Sequence, residues 1–236
     1  MWNPWHGCHK KSEGCKNCYM FSFDKERGID SNIFFITKDF DLPLKKLRNN
    51  EYKIASGEEV MICLTSDFFI EEADKYREKV WEIVKTREDL TFTVITKRIE
   101  RVEKCLPKDF SDNYKNFFIC VTVENQKRAD ERLPILINLN LNYRAITLSP
   151  MLEKMDIKKY LATGKINKVS VAGENYKNAR PLNFDWVKDI YNQCKLYDVE
   201  FEFYDTGSNF IKDNKKYFVP HRLGREQAKK AMKYLT

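Results

Sequence analysis

The sequence predicts an α/β protein built as a partial (β/α)6 barrel of the TIM type, and three observations predict it. Six short apolar runs recur about thirty residues apart. Segments with apolar residues at helical spacing lie between them. Each run stops at a cluster of polar residues, as expected of strands whose C-terminal ends line one mouth. A doubly wound open sheet would give the same alternation, and it stands as the alternative.

The runs are Val60-Met61-Ile62-Cys63-Leu64, Phe92-Thr93-Val94-Ile95, Phe117-Phe118-Ile119-Cys120-Val121, Ala145-Ile146-Thr147-Leu148, Val169-Ser170-Val171-Ala172 and Val199-Glu200-Phe201-Glu202-Phe203. Most are nearly continuous hydrophobic strings, which suits strands buried on both faces of a parallel sheet. The polar clusters that end them are Thr65-Ser66-Asp67, Thr96-Lys97-Arg98, Thr122-Val123-Glu124-Asn125-Gln126, Ser149-Pro150, Gly173-Glu174-Asn175 and Asp205-Thr206-Gly207-Ser208. Residues 71–86 and 185–196 read as helices between strands. In the second, Trp186, Val187, Ile190, Tyr191 and Cys194 form the apolar stripe. Strand, helix, strand, repeated, implies right-handed crossovers. No linker rich in Pro, Gly or Ser interrupts the chain. One domain over residues 1–236 is therefore expected, with a loop at 6–19 and a closing segment at 206–236.

A chain of 236 residues that is 42% hydrophobic can bury a core, so disorder is excluded as its main state. No apolar run approaches the roughly 18 residues a membrane span needs. The opening Met1-Trp2-Asn3-Pro4-Trp5 lacks the charged and apolar regions of an export signal, so a cytoplasmic protein is expected. The 42 Lys and Arg against 35 Asp and Glu give a net charge of +7, with no like-charged block. That is modest for a nucleic-acid binder, and neither a nucleic acid nor a membrane is the favoured partner.

Seven cysteines without an export signal point to metal or catalysis rather than disulfides. Cys63 and Cys120 lie in strand runs, Cys194 lies on a helix stripe, and Cys105 ends a helical pattern; each reads as a packing residue. Cys8, Cys15 and Cys18 differ, standing as CX6CX2C in the loop. Gly7 and Gly14 each precede a cysteine and free the backbone to wrap an inorganic centre. Two readings follow. Three thiolates leave one coordination position open, as in a site-differentiated [4Fe–4S] cluster. Alternatively His6 or His9 completes a Cys3His zinc site.

The residues Trp2-Asn3-Pro4, Gly7-Cys8, Ser12, Gly14-Cys15 and Cys18-Tyr19 resemble the opening of the phage Gp37/Gp68 (DUF5131) family, which looks like a branch of the radical S-adenosylmethionine enzymes. The blocks Ser66-Asp67-Phe68, Thr96-Lys97-Arg98, Val123-Glu124-Asn125-Gln126, Ser149-Pro150-Met151-Leu152, Gly173-Glu174 and Ala179-Arg180-Pro181 carry the resemblance almost end to end. The chain departs from the family's usual pattern at Ser149, where an acidic residue is common. It departs again at Tyr204-Asp205-Thr206-Gly207, where a KQWG-like strand end is common. The CX6CX2C spacing is not the CX3CX2C common among these enzymes, and Asn17 stands before Cys18 in place of an aromatic. These departures suggest a specialised substrate pocket.

The resemblance implies a fold of the radical S-adenosylmethionine type, with a [4Fe–4S] cluster on Cys8, Cys15 and Cys18. S-adenosylmethionine would bind the open iron, and one electron, from a flavodoxin or ferredoxin, would release a 5′-deoxyadenosyl radical that takes hydrogen from the substrate. By position, Ser66 and Asp67 would approach the methionine ammonium, and Thr122 and Glu124 the ribose hydroxyls. Asn17, Tyr19, Ser149, Ala172 and Gly173 would line the remainder of the cofactor. Asp67 is equally a helix N-cap, and Gly173 equally a turn residue. The substrate implied is a small nucleotide with a 7-deazaguanine base. Its adjacent N–H donors want a carboxylate, with Glu174 and Asp205 as candidates and Glu124 as a third. A 5′-phosphate would use Lys97, Arg98, Arg180, His221 or Arg222. Asn3 and Trp5 lie beside the loop, to touch substrate or to pack beneath it. The alternatives are radical modification of a nucleic acid or another nucleotide, and a Cys3His zinc module without catalysis.

Overall fold

The computed structural model describes residues 1–176 and 178–235, and the chain packs as two compact units. The first comprises Met1–Lys11, Met20–Cys120 and Leu139–Tyr143. It carries β1 (Trp5–His6), α1 (Tyr19–Glu26) from its second residue onward, β2 (Phe35–Ile36), β3 (Glu59–Ile62), α2 (Asp74–Thr86), β4 (Thr91–Thr96), α3 (Val102–Cys105), α4 (Phe110–Asn113) and the first four residues of β5 (Phe117–Thr122). β1 pairs antiparallel with β2, and β3 pairs parallel with β4, Val60 opposite Phe92. α2 forms because its apolar face recurs at helical spacing: Arg77, Val80, Trp81, Ile83 and Val84 are buried. Trp81 holds this unit's aromatic core, its ring 4.6 Å from Phe117, 5.2 Å from Phe68 and 5.4 Å from Tyr114.

The second unit comprises Ser12–Tyr19, Val121–Asn138 and the chain from Arg144 on. It adds α5 (Gln126–Asn138), β6 (Arg144–Leu148), α6 (Lys158–Leu161), β7 (Lys168–Ala172), β8 (Leu182–Asn183), α7 (Phe184–Leu196), β9 (Glu200–Asp205), β10 (Asn209–Lys212), β11 (Lys215–Phe218) and α8 (Gly224–Met232). β6 pairs parallel with β7, and β7 with β9. α7 starts where Asn183 caps it, the Asn side chain accepting from the Asp185 N–H. The segment after β9 is a hairpin and a helix. Asp213 and Asn214 both have positive φ, as a tight two-residue hairpin turn demands.

One six-stranded sheet runs in the order β3-β4-β5-β6-β7-β9. That order follows the chain without reversal, which is the winding of a TIM-type barrel and not of a doubly wound sheet. Among the described residues no pairing of β3 with β9 closes it, so the barrel is partial. All six expected strands are present. Cys63, expected within the first, instead stands just past β3 with φ +60. The left-handed backbone of Cys63 turns the chain out of the strand, its carbonyl taking the Ser66 N–H at 3.1 Å, while its own N–H bonds the Trp2 carbonyl at 3.0 Å. Residues 71–73 form a 3-10 turn ahead of α2, a common tightening of a helix start. No described helix is long and apolar enough to cross a membrane.

Trp81 is 6% exposed and Leu196 is 66% exposed. Trp81→Ala should cost about 3–5 kcal/mol in urea unfolding, and Leu196→Ala should stay within about 0.5 kcal/mol. Equal losses would contradict this core.

Candidate functional site

In the first unit the strand ends converge on Asp67, just past β3 and 4% exposed. Its Oδ1 accepts from the Thr96 hydroxyl at 2.8 Å and the Phe69 N–H at 3.0 Å. Its Oδ2 accepts from the Lys97 N–H at 3.1 Å and Arg98 Nη1 at 3.3 Å. Asp67 thus ties the end of β3 to the end of β4; it caps no helix, because the following 3-10 turn starts after Ile70 and its bond to Phe69 closes a local turn instead. Arg98, buried, also donates from Nη2 to the His9 carbonyl at 2.8 Å and from Nη1 to Cys8 Sγ at 3.8 Å. A thiolate at Cys8 has this guanidinium as its counter-charge.

The residues around Cys8 are held from below. Ser66 donates its hydroxyl to the Gly7 carbonyl at 2.5 Å, and Asn3 Oδ1 accepts the Thr65 N–H at 3.3 Å. Trp5 is fully buried against Phe68, so it packs beneath the loop. Gly7 has φ +99, and a side chain there would collide with the Ile33 carbonyl. His6 and His9 each engage a carboxylate: His6 Nε2 meets Asp24 Oδ2 at 2.8 Å, and His9 Nε2 meets Glu72 Oε1 at 2.6 Å.

In the second unit, three carboxylate–guanidinium pairs fasten the loop Ser12–Tyr19, which carries Cys15 and Cys18. Glu124, fully buried just past β5, accepts from the Ser12 hydroxyl and from the Gly14 N–H at 3.1 Å. Its second oxygen meets Arg132 Nη1 of α5 at 2.8 Å, and Arg132 Nη2 reaches Ser12 Oγ at 2.9 Å. Glu174, just past β7, accepts from Asn17 Nδ2 at 2.8 Å and from Arg180 through its backbone N–H at 2.8 Å, Nε at 3.0 Å and Nη2 at 2.5 Å. Burial works against the Glu174 charge, yet Arg180 and Asn17 hold its carboxyl below the usual range. On the exposed side, Arg128 Nε and Nη2 grip both oxygens of Glu13 at 2.9 Å. Those hydrogen bonds bring the Glu13 carboxyl down to about 2. Arg180 closes the set with a bond to the Glu13 carbonyl at 3.0 Å.

These contacts account for residues the sequence assigns to cofactor and substrate. Glu124, Glu174, Arg180 and Asn17 spend their polar atoms on the loop. Asp205 accepts the Gly207 N–H at 2.8 Å, and its carboxylate lies against Gly224 at the start of α8. Gly173 donates to the Asp205 carbonyl at 2.9 Å, and a Cβ there would strike the Thr206 carbonyl; its close approach is to the chain itself. The Ala172 carbonyl takes the Met151 N–H at 3.0 Å, and Ser149 precedes a cis Pro150. Tyr19 opens α1, partly exposed. Lys97, His221 and Arg222 have no ion pair among the described residues. Sequence reasoning missed Arg128 and Arg132, whose only signal was arginine at i, i+4 on one helix.

Among the described residues, two buried hydroxyls near strand ends have no hydrogen-bond partner: Thr65 Oγ1 in the first unit and Thr122 Oγ1 in the second. Such orphans are rare, and each marks a place where a ligand atom can bond. All seven cysteines are free thiols. Among the described residues, no three His, Cys, Asp or Glu side chains stand close enough to hold a metal ion.

Residues 1–234 match the model of a family described as a protein of unknown function, DUF5131, and the chain belongs to that family. No curated protein and no solved structure matches it.

Two outcomes follow from this geometry. Glu124→Leu strips a buried guanidinium of its counter-charge and should cost about 3–5 kcal/mol. Arg128→Ala opens an exposed pair and should cost under about 1 kcal/mol. Urea unfolding of both variants checks the ranking, and a costlier Arg128→Ala would contradict it. Burial pushes the Cys63 thiol up and the Cys194 thiol up to about 12. In metal-free protein at pH 8, iodoacetamide should therefore label half-buried Cys8 and Cys18 before Cys63 and Cys194. Mass spectrometry reads this order; Cys63 labelling as fast as Cys18 would contradict it.

Proposed function

We propose that this member of the DUF5131 family is a radical S-adenosylmethionine enzyme, with Cys8, Cys15 and Cys18 holding a [4Fe–4S] cluster. One observation carries the reading: the loop bearing Cys15 and Cys18 is fastened to carboxylates at the C-terminal ends of β5 and β7, the end of the sheet where such barrels do chemistry. The donor set fits the group. Three free thiols, no fourth cysteine on the loop and a guanidinium beside Cys8 suit a cluster with one open iron. Bound there with S-adenosylmethionine, the cluster would supply hydrogen-atom abstraction from a substrate carbon.

The chain's own part is to bind, orient and exclude water. Glu124, Arg132 and Glu174 fix the ligand loop. Among the described residues the Thr122 hydroxyl has no partner and would meet a ribose; in the first unit the Thr65 hydroxyl has no partner and Lys97 no ion pair. The best substrate is queuosine 5′-phosphate, with release of queuine base by C–N bond cleavage. This is the reaction of queuine lyase, which the chain resembles in size and in its CX6CX2C motif. Queuine salvage, a cytoplasmic site and an electron donor such as flavodoxin or ferredoxin complete the proposal.

One observation favours a second reading. His6 and His9 each hold a carboxylate partner, the arrangement that orients zinc-binding imidazoles. A Cys3His zinc module would need no redox chemistry.

Anaerobic reconstitution with iron and sulfide, followed by EPR, decides between them. A reduced [4Fe–4S] signal that S-adenosylmethionine perturbs is the expected result. It should vanish in Cys8→Ala, Cys15→Ala and Cys18→Ala and persist in Cys105→Ala. Queuosine 5′-phosphate should then yield free queuine. A colourless protein with one bound zinc would overturn the radical reading.

A further inference from the structure

The arginines and lysines named for a phosphate are unequally free. Arg180 is spent on Glu174 and the Glu13 carbonyl, and Arg98 on Asp67 and the His9 carbonyl. In the second unit, Arg222 and Arg225 are exposed and have no ion pair among the described residues. They border an aromatic patch. Tyr176 and His221 stack with ring centroids 4.6 Å apart at 27°, and the Tyr176 hydroxyl meets His221 Nε2 at 3.2 Å. Arg225 lies over the ring of Tyr204, 4.4 Å from its centroid. Tyr204, the next-to-last residue of the edge strand β9, is 41% exposed.

The patch is built at a cost. Tyr176 sits at φ +72, a left-handed conformation that a tyrosine rarely adopts. Three bonds over-determine it: Tyr176 N–H to Ser208 Oγ at 3.1 Å, Ser208 N–H to the Glu174 carbonyl at 2.8 Å, and Val219 N–H to the Ser208 carbonyl at 2.9 Å. Backbone strain held in place beside a candidate site is a mark of function. The same bonds place the rings next to Glu174, which anchors the cysteine loop.

We infer that Tyr176, His221, Tyr204, Arg222 and Arg225 form a nucleotide subsite, with a purine-like base stacked on the rings and a 5′-phosphate on the two guanidinium groups. Stacking on aromatic rings and charge-assisted bonds from arginine are the two contacts that a nucleoside monophosphate offers most strongly. An arginine already over an aromatic ring presents its N–H edge outward for a phosphate. The inference rests on the reading of the chain as a nucleotide enzyme, and it assigns three residues that reading left out: Tyr176, Tyr204 and Arg225.

Calorimetry on the metal-free chain tests it, with guanosine 5′-monophosphate, queuosine 5′-phosphate, guanosine and inorganic phosphate as probes. At least one nucleotide should bind, more tightly than guanosine or phosphate. Tyr176→Ala should weaken that nucleotide about tenfold or more, and Tyr176→Phe, which keeps the ring, should retain it. The double variant Arg222→Gln/Arg225→Gln should lose the preference for nucleotide over guanosine. Circular dichroism confirms that each variant folds. No nucleotide binding, phosphate competing as well as the nucleotide, Tyr176→Phe binding as weakly as Tyr176→Ala, or unchanged affinity in folded variants would each overturn the subsite. Guanosine 5′-monophosphate binding by a protein whose cluster ignores S-adenosylmethionine would keep the subsite and sink the radical reading. A responsive cluster without nucleotide binding would do the reverse.

Discussion

The second unit depends on its buried carboxylate–guanidinium contacts to the loop Ser12–Tyr19. A short loop rich in polar residues has little apolar area to bury, so hydrophobic packing cannot fix its shape. Glu124 and Arg132 supply the fixing force from inside the unit, where each charge would be costly alone and both are satisfied together. Glu174 and Arg180 repeat the device at the other end of the loop, and Glu13 with Arg128 adds a weaker clasp in solvent. The buried pair is the one whose loss would undo the loop. The exposed one restrains it.

The same economy explains the polar strand ends. A parallel sheet leaves its C-terminal edge with side chains that must be either solvated or paired. In this chain most are paired internally: Asp67 with β4, Glu124 with α5 and the loop, Glu174 with Arg180, Asp205 with the start of α8. Among the described residues, the Thr65 and Thr122 hydroxyls have no hydrogen-bond partner, and Lys97, Arg222 and Arg225 have no ion pair. The proposed chemistry draws its ligand contacts from that short remainder, and its rigidity from the paired majority.

Much of this was legible in the sequence, for identifiable reasons. Strands buried on both faces appear as unbroken apolar strings, so all six emerged within a residue or two. Cys8, Cys15 and Cys18 stand out in the sequence because their spacing is local. What the sequence hid is long-range or too short to have a period. Glu13 and Arg128 are 115 positions apart, so nothing local announces their pairing. β1, β2 and β8 have two residues each and cannot display alternation. Trp2, which pairs with Ile62, acts across sixty residues. Asp67 illustrates the limit: a helix cap was the local expectation, but its carboxylate closes a turn at Phe69 and binds Thr96 and Arg98, contacts that required the fold.

Paired charges hold the loop Ser12–Tyr19 in shape before any metal binds. Hydrogen exchange on metal-free protein tests it most directly, at the Gly14 N–H, which Glu124 accepts, and the Cys15 N–H, which the Ser12 carbonyl accepts at 2.9 Å. Both amides should exchange far more slowly than in an unstructured peptide. Exchange at the unstructured rate in an otherwise folded chain would contradict it.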